Sequence, residues 1–216
     1  MSAETDRAVN HWARAERAAL SDLLLAVGPD APTLCDGWRT RDLAAHLVIR
    51  EGRIDAAMGI TIPAFAGWTK KVQDKKAQLD WPTLVDAVRN GPPKTSMMRA
   101  AKVDGVANTI EFYVHHEDVR RGQPDWQPRA LDPAFEDDLW QRLQAFAPRL
   151  MKKAPVGVLL KTPDGRSLQV AEGGEVATVT GSPGELTLYA YGRQANVTIE
   201  GSQAARDALS SASFGI

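Results

Sequence analysis

The chain holds a single cysteine, Cys35, among 216 residues. One thiol closes no internal disulfide, so a small secreted scaffold stapled by disulfides is excluded. Charge of one sign is also lacking. Twenty-six basic residues stand against 27 acidic ones, a formal net charge of -1. That balance supplies no bulk attraction to nucleic acid or to an anionic membrane, so neither is expected as a partner. Long apolar runs are missing as well. No segment approaches the roughly 20 apolar residues that a membrane-crossing helix needs. The opening MSAETDRAVNHWARAERAAL is too polar to hold the apolar centre of a signal peptide. A reducing cytoplasm is the expected location.

What is present is an ordinary core-forming composition, 44% apolar and 25% charged, which argues against global disorder. The first two thirds read as helices. Over residues 5–27, Trp12, Ala19, Leu20, Leu23, Leu24 and Val27 recur at three- and four-residue spacings, and Gly28-Pro29 supplies the stop. A second helix is expected from Thr40 as its N-cap, with Asp42 in the first turn and a stripe of Leu43, Leu47, Ile54 and Met58. A third spans 82–90 with proline at its start. A fourth opens at Asp104, turns Val106, Ile110 and Val114 inward, and ends with Arg120, Arg121 and Gly122. A fifth covers 133–150. Residues 61–78, with Trp68 and several lysines, read as a long loop.

The pattern changes after Pro155. Two strands, 156–161 and 166–170, flank the turn Thr162-Pro163-Asp164-Gly165. A third strand is expected at 176–180. Ser182-Pro183-Gly184-Glu185 is a capping box ahead of a short helix at 186–192. A strand at 197–199 and a helix at 202–211 complete the chain. The expected fold class is α+β: a helical bundle over 1–152 followed by a small α+β domain over 153–216.

The segment that carries chemistry is Glu111-Phe112-Tyr113-Val114-His115-His116-Glu117-Asp118. Residues four apart on a helix are neighbours, so Glu111 and His115 can address one ion. His116 is rotated by about 100° and points elsewhere. Glu111 and His115 border the apolar stripe of their helix, and His46 borders that of the second helix. Two histidines and a carboxylate satisfy Zn²⁺ and leave a coordination position open. Fe²⁺, Ni²⁺ and Mn²⁺ accept the same donors. A Glu and a His at this spacing also form an ordinary surface hydrogen bond, and spacing alone does not separate the two readings. Asp118 can support the ligands from behind or be solvated. Arg50 and Arg53 can grip a substrate carboxylate or pair with acids. Cys35 reads as a small packed residue, His11 as exposed or packed beside Trp12, and Lys70, Lys71, Lys75 and Lys76 as a solvated face.

Leu34-Cys35-Asp36-Gly37-Trp38, followed by Arg41-Asp42-Leu43-Ala44-Ala45-His46-Leu47, resembles the second-helix signature of the DinB-like superfamily. The resemblance is greatest to its mycothiol-dependent maleylpyruvate isomerase branch, whose fourth-helix pair Glu111 and His115 also resemble. Residues 184–193 and 197–201 resemble the sterol-carrier-like C-terminal domain that accompanies this bundle. The resemblance implies a DinB-like four-helix bundle with a metal, zinc first, held by His46, Glu111 and His115. It further implies mycothiol as a thiol cosubstrate, an electrophilic small-molecule substrate, and an actinobacterial setting.

Three functions follow as expectations. The first is a metal- and thiol-dependent transferase or isomerase, acting as a monomer or homodimer. The second is a metal-binding or stress-related module without catalysis. The third is an apolar-ligand carrier that uses the C-terminal domain. Maleylpyruvate itself is not supported as substrate, because residues 61–102 show no pattern that aligns with the branch.

Overall fold

The computed structural model describes residues 3–52, 62–92, 104–212 and 214, without the side chains of residues 3–10, 63 and 104–107. Among the described residues, eight α-helices and a four-stranded sheet make the chain α+β. It divides into two compact units, Met1–Gln127 and Pro128–Ile216.

The first unit is helical. Helix α1, Ala3–Val27, turns Leu20 and Leu24 fully inward and stops at Gly28. The φ of 83° there suits a residue without a Cβ, and its N–H bonds the Leu24 carbonyl at 3.0 Å. Helix α2, Thr40–Gly52, is buried on most of its circumference. Its cap lies one residue earlier than expected. The Leu43 N–H bonds the Arg39 carbonyl at 3.1 Å, and the Asp42 carboxylate reaches back to the Arg39 N–H at 2.9 Å. That is the back-reaching half of a capping box. The Thr40 hydroxyl is diverted to the Gly28 carbonyl at 2.6 Å, which ties the start of α2 to the end of α1.

The loop expected at 61–78 is instead a 3₁₀ turn, Pro63–Phe65, leading into helix α3, Ala66–Ala77. Only Thr69 and Val72 of α3 are buried. A seam that narrow leaves too few apolar positions for periodicity to register. Helix α4, Trp81–Asn90, buries Leu84, Val85 and Val88. Helix α5, Asp104–Arg121, completes the set. Leu20, Leu24, Leu43, Leu47, Leu84 and Phe112 meet in one core drawn from α1, α2, α4 and α5. Ile54, Met58 and Arg53, expected on the second helix, lie outside the described residues, as does the side chain of Val106.

The second unit is built on a sheet of order β2-β1-β3-β4. Strands β1, Gly157–Lys161, and β2, Ser167–Ala171, form the expected antiparallel hairpin. Strand β3, Val176–Thr180, lies parallel to β1, and β4, Thr198–Glu200, antiparallel to β3. Helix α7, Pro183–Ala190, is capped by Ser182, whose side chain accepts from the Glu185 N–H, and α8, Gln203–Ser210, is capped by Ser202. The remaining helix, α6, Pro133–Leu150, expected with the bundle over 1–152, falls in this unit. Its Trp140, Leu143 and Ala147 instead share a core with Val158, Leu160, Val179 and Leu186, because its apolar stripe faces the sheet. Among the described residues no helix is long and apolar enough to cross a membrane.

Candidate metal centre

Helices α2 and α5 bring His46, Glu111 and His115 together. The Nε2 atoms of His46 and His115 each lie 3.3 Å from the same carboxylate oxygen, Glu111 Oε1. The imidazole rings meet nearly edge to face, with centroids 5.3 Å apart and an interplanar angle of 72°. Both histidines are buried, while the Glu111 side chain keeps 21% of its exposure. Each residue offers one donor atom within 4.8 Å of the others. In a tetrahedron with bonds of roughly 2.0–2.1 Å, as for zinc bound to nitrogen and oxygen, neighbouring donors stand about 3.3 Å apart. The two spacings from the histidines to Glu111 match that separation.

The arrangement behind the triad fixes which nitrogen faces forward. His115 Nδ1 is 2.9 Å from Asp118 Oδ2, and Asp118 is fully buried. An ionised carboxylate only accepts, so Nδ1 carries the proton and Nε2 presents a lone pair. That lone pair points at another acceptor, Glu111 Oε1. Two acceptors at that range are repulsive unless a cation lies between them, either a proton or a metal ion. In the absence of metal the proton serves. Burial opposes charging of His115, but hydrogen bonds with Asp118, Cys35 and Glu111 outweigh it and hold the imidazole well above its usual value. Burial likewise opposes ionisation of Glu111, and the hydrogen bonds from His115 and His46 overcome it, so its pKa lies well below the ordinary carboxylate range. For His46 burial is the largest influence and prevails, lowering its pKa.

Three surroundings define the site further. Arg50 Nε lies 3.1 Å from Glu111 Oε1, and its Nη1 donates to Asn108 Oδ1 at 2.5 Å. Asn108 Nδ2 donates to Glu51 Oε1 at 3.1 Å, and Arg17 forks onto both Glu51 oxygens. Arg50 is thus engaged within the protein rather than held out for a substrate carboxylate. The Trp38 ring lies against His46, with centroids 5.0 Å apart. Finally, a cavity of about 540 Å³ opens beside Trp38 and His46 and is also lined by Asp36, Asp42, Thr69 and Lys70. That volume lies within the ordinary range of small-molecule sites.

His116 points away, as the helical geometry requires, and its Nδ1 is 2.8 Å from buried Glu16 on α1. His11 is exposed and stacks edge-on against Trp12 at 4.9 Å. Lys70 pairs on the surface with Asp74. Cys35, read as a packed residue, in fact lies 3.1 Å from Asp118 Oδ2. Sequence reasoning missed this because the two are 83 positions apart. The Arg17–Glu51 pair was missed for the same reason.

No protein-family model matches the sequence, and no curated protein matches it. The structure is similar to two solved structures. One is described as the mycothiol-dependent maleylpyruvate isomerase, with a TM-score of 0.59 and 16% identity. The other is a histidine-to-alanine mutant of the mycothiol-dependent maleylpyruvate isomerase, with a TM-score of 0.61 and 15% identity. In each case the match covers 93% of this chain and 93% of the other. At such identities the likeness shows a shared fold.

Proposed function

We propose that His46, Glu111 and His115 hold a divalent metal, zinc first, with nickel or iron as other candidates. On this reading the protein is a metal- and thiol-dependent transferase or isomerase with mycothiol as its thiol. The observation that carries the reading is the convergence of two imidazole nitrogens on one carboxylate oxygen at 3.3 Å each. The names of the two similar structures support the thiol.

When bound, the ion would favour the thiolate form of a small thiol at neutral pH and so supply a nucleophile. The chain's own residues do the rest. Asp118 accepts a hydrogen bond from the Nδ1–H of His115 and fixes that ring's orientation. Glu111 contributes the one negative charge of the triad, leaving a site of net positive charge that attracts an anionic sulfur. Trp38 walls one side of the His46 ring. The cavity beside His46 gives a thiol and an electrophile room to meet. Among the described residues the group offers three donors, which leaves a tetrahedral ion one open position. A non-catalytic metal-binding module would call for a fourth protein donor.

The second unit holds no histidine and no cysteine, and a sterol-carrier-like, supporting role is proposed for it. The test is elemental analysis of purified protein, followed by mycothiol and glutathione titrated into a cobalt-loaded sample. The reading expects about one ion per chain, near-complete loss of it in the His46→Ala, His115→Ala double variant, and a sulfur-to-cobalt absorption band with mycothiol. Full metal retention in that double variant rejects the triad. Absence of a band with either thiol at millimolar concentration rejects the thiol enzyme in favour of the non-catalytic module.

A further inference from the structure

Cys35 sits in the turn ahead of α2, and its position is built rather than incidental. Its N–H bonds the Thr33 hydroxyl oxygen at 3.1 Å, the Thr33 hydroxyl donates to the Trp38 carbonyl at 2.9 Å, and the Trp38 N–H closes the turn on the Cys35 carbonyl at 3.0 Å. The turn is fastened to α5 by the Leu34 N–H, 3.0 Å from the Asp118 carbonyl. It is also fastened by Gln123 Nε2, 3.1 Å from the Pro32 carbonyl. These tethers present the Cys35 sulfur 3.1 Å from Asp118 Oδ2 and 3.9 Å from His115 Nδ1. Asp118 Oδ2 is the same oxygen that meets His115 Nδ1 at 2.9 Å.

A buried carboxylate oxygen that accepts from two donors is pinned in direction by both. Remove one donor, and the carboxylate loses one of the contacts that set its direction, so the imidazole that it orients is held less firmly. Rotation of the imidazole would swing Nε2 off Glu111. We propose that Cys35 is a positioning residue. Its thiol, by donating to Asp118 Oδ2, holds the carboxylate that orients His115 and so keeps Nε2 turned toward Glu111. The metal consequence rests on the reading above; the orientation of His115 does not.

The experiment uses the full chain, metal-free and zinc-titrated, with Cys35→Ala, Cys35→Ser and Asp118→Asn. In metal-free protein, long-range proton–nitrogen correlation spectra report which His115 ring nitrogens are protonated and whether the ring holds one environment. Wild type and Cys35→Ser, which keeps a hydroxyl donor, should show one sharp set of His115 ring signals with Nδ1 protonated. Cys35→Ala should show that signal shifted and broadened by exchange. Competition with a chromophoric chelator then reads zinc affinity. Loss of a group supporting a metal-bound histidine typically costs about 10–100-fold. Cys35→Ala should fall in that range and Cys35→Ser close to wild type. Cys35→Ala should add little in the Asp118→Asn background, since both act through one carboxylate. A merely structural role for Cys35 would instead give additive losses and no rescue by serine. An unchanged His115 signal in Cys35→Ala overturns the proposal, and so do additive penalties. If wild-type protein takes up no zinc, the metal reading fails and the His115 ring spectra alone decide the positioning role. They decide it too if Asp118→Asn does not fold.

Discussion

Replacement of Arg17 by methionine tests how the first unit is held together. Arg17 forks onto Glu51, with 2.6 Å from Nη1 to Oε2 and a second, shorter contact to Oε1. It donates to the Val88 carbonyl at 2.9 Å and lies 4.1 Å from the centre of the Phe112 ring. One side chain thus joins α1, α2, α4 and α5. The side chains of Arg17 and Glu51 keep 14% and 7% of their exposure, so solvent screens the pair weakly. Removing one partner of a buried ion pair strands the other charge and costs roughly 3–5 kcal/mol. Asn108 still donates to Glu51 in the variant, which places the expected loss near 3 kcal/mol rather than 5. For a chain of this size that is a fall in Tm of roughly 6–12 °C. The double variant Arg17→Met, Glu51→Met leaves no buried charge and should cost no more than Arg17→Met alone. That corresponds to a coupling of about 2 kcal/mol or more in the double-mutant cycle. Urea unfolding followed by tryptophan fluorescence measures all four proteins, and the slope shows whether the transition stays cooperative. A single-variant loss under about 1 kcal/mol, or losses that simply add, would refute the reasoning.

Further outcomes are expected. A Cβ at Gly122 would stand 2.5 Å from the Pro32 carbonyl oxygen and 2.8 Å from Thr33 Cα. Gly122→Ala should therefore cost about 1–3 kcal/mol and shift Trp38 emission by moving its turn, whereas unchanged emission and stability would mean that the turn yields freely. His116→Ala should leave metal content unchanged yet lower stability by about 1–3 kcal/mol, because it removes a hydrogen-bond partner of buried Glu16. Metal loss in that variant would show that the helix register is misread. In metal-free protein the raised His115 contributes stability in full below its unfolded value of 6.5 and loses it as pH rises through the folded value. The lowered Glu111 contributes in full above 4.5 and loses it as pH falls through its own folded value. Their joint contribution is complete between 4.5 and 6.5, and His115→Gln should abolish the decline above 6.5 in a stability-against-pH series. A decline of equal size in His115→Gln would assign it to another group.

Much of this was legible because the signals are local. Glu111 and His115 declare themselves by a spacing of four, and Ser182 by its place as N-cap, where its side chain accepts from the Glu185 N–H. Gly28 ends α1 at the expected residue. Helix α3 was not legible, because Lys70, Lys71, Lys75 and Lys76 crowd its outer faces and only Thr69 and Val72 are buried. The partner of α6 was not legible either, because an amphipathic stripe states that a face is buried and not against what. Cys35 looked inert because its neighbours in sequence carry no hint of Asp118, which reaches it only through the packing of α5.

The contact between His46 and Glu111 joins residues 65 positions apart, and that separation sets when the centre can exist during synthesis. A nascent chain that has exposed α1 and α2 offers only one of the three donors. The remaining two emerge together on α5, and they meet His46 only after that helix has docked. A loop of this length closes late among folding events, because its entropy must be met before any donor contact rewards it. An ion gripped by the native chain and not by the unfolded one adds stability by mass action, about 2.7 kcal/mol at a free concentration of one hundred times Kd. If the triad holds an ion, loading waits for α5 to dock but not for the second unit, because all three donors lie within the first.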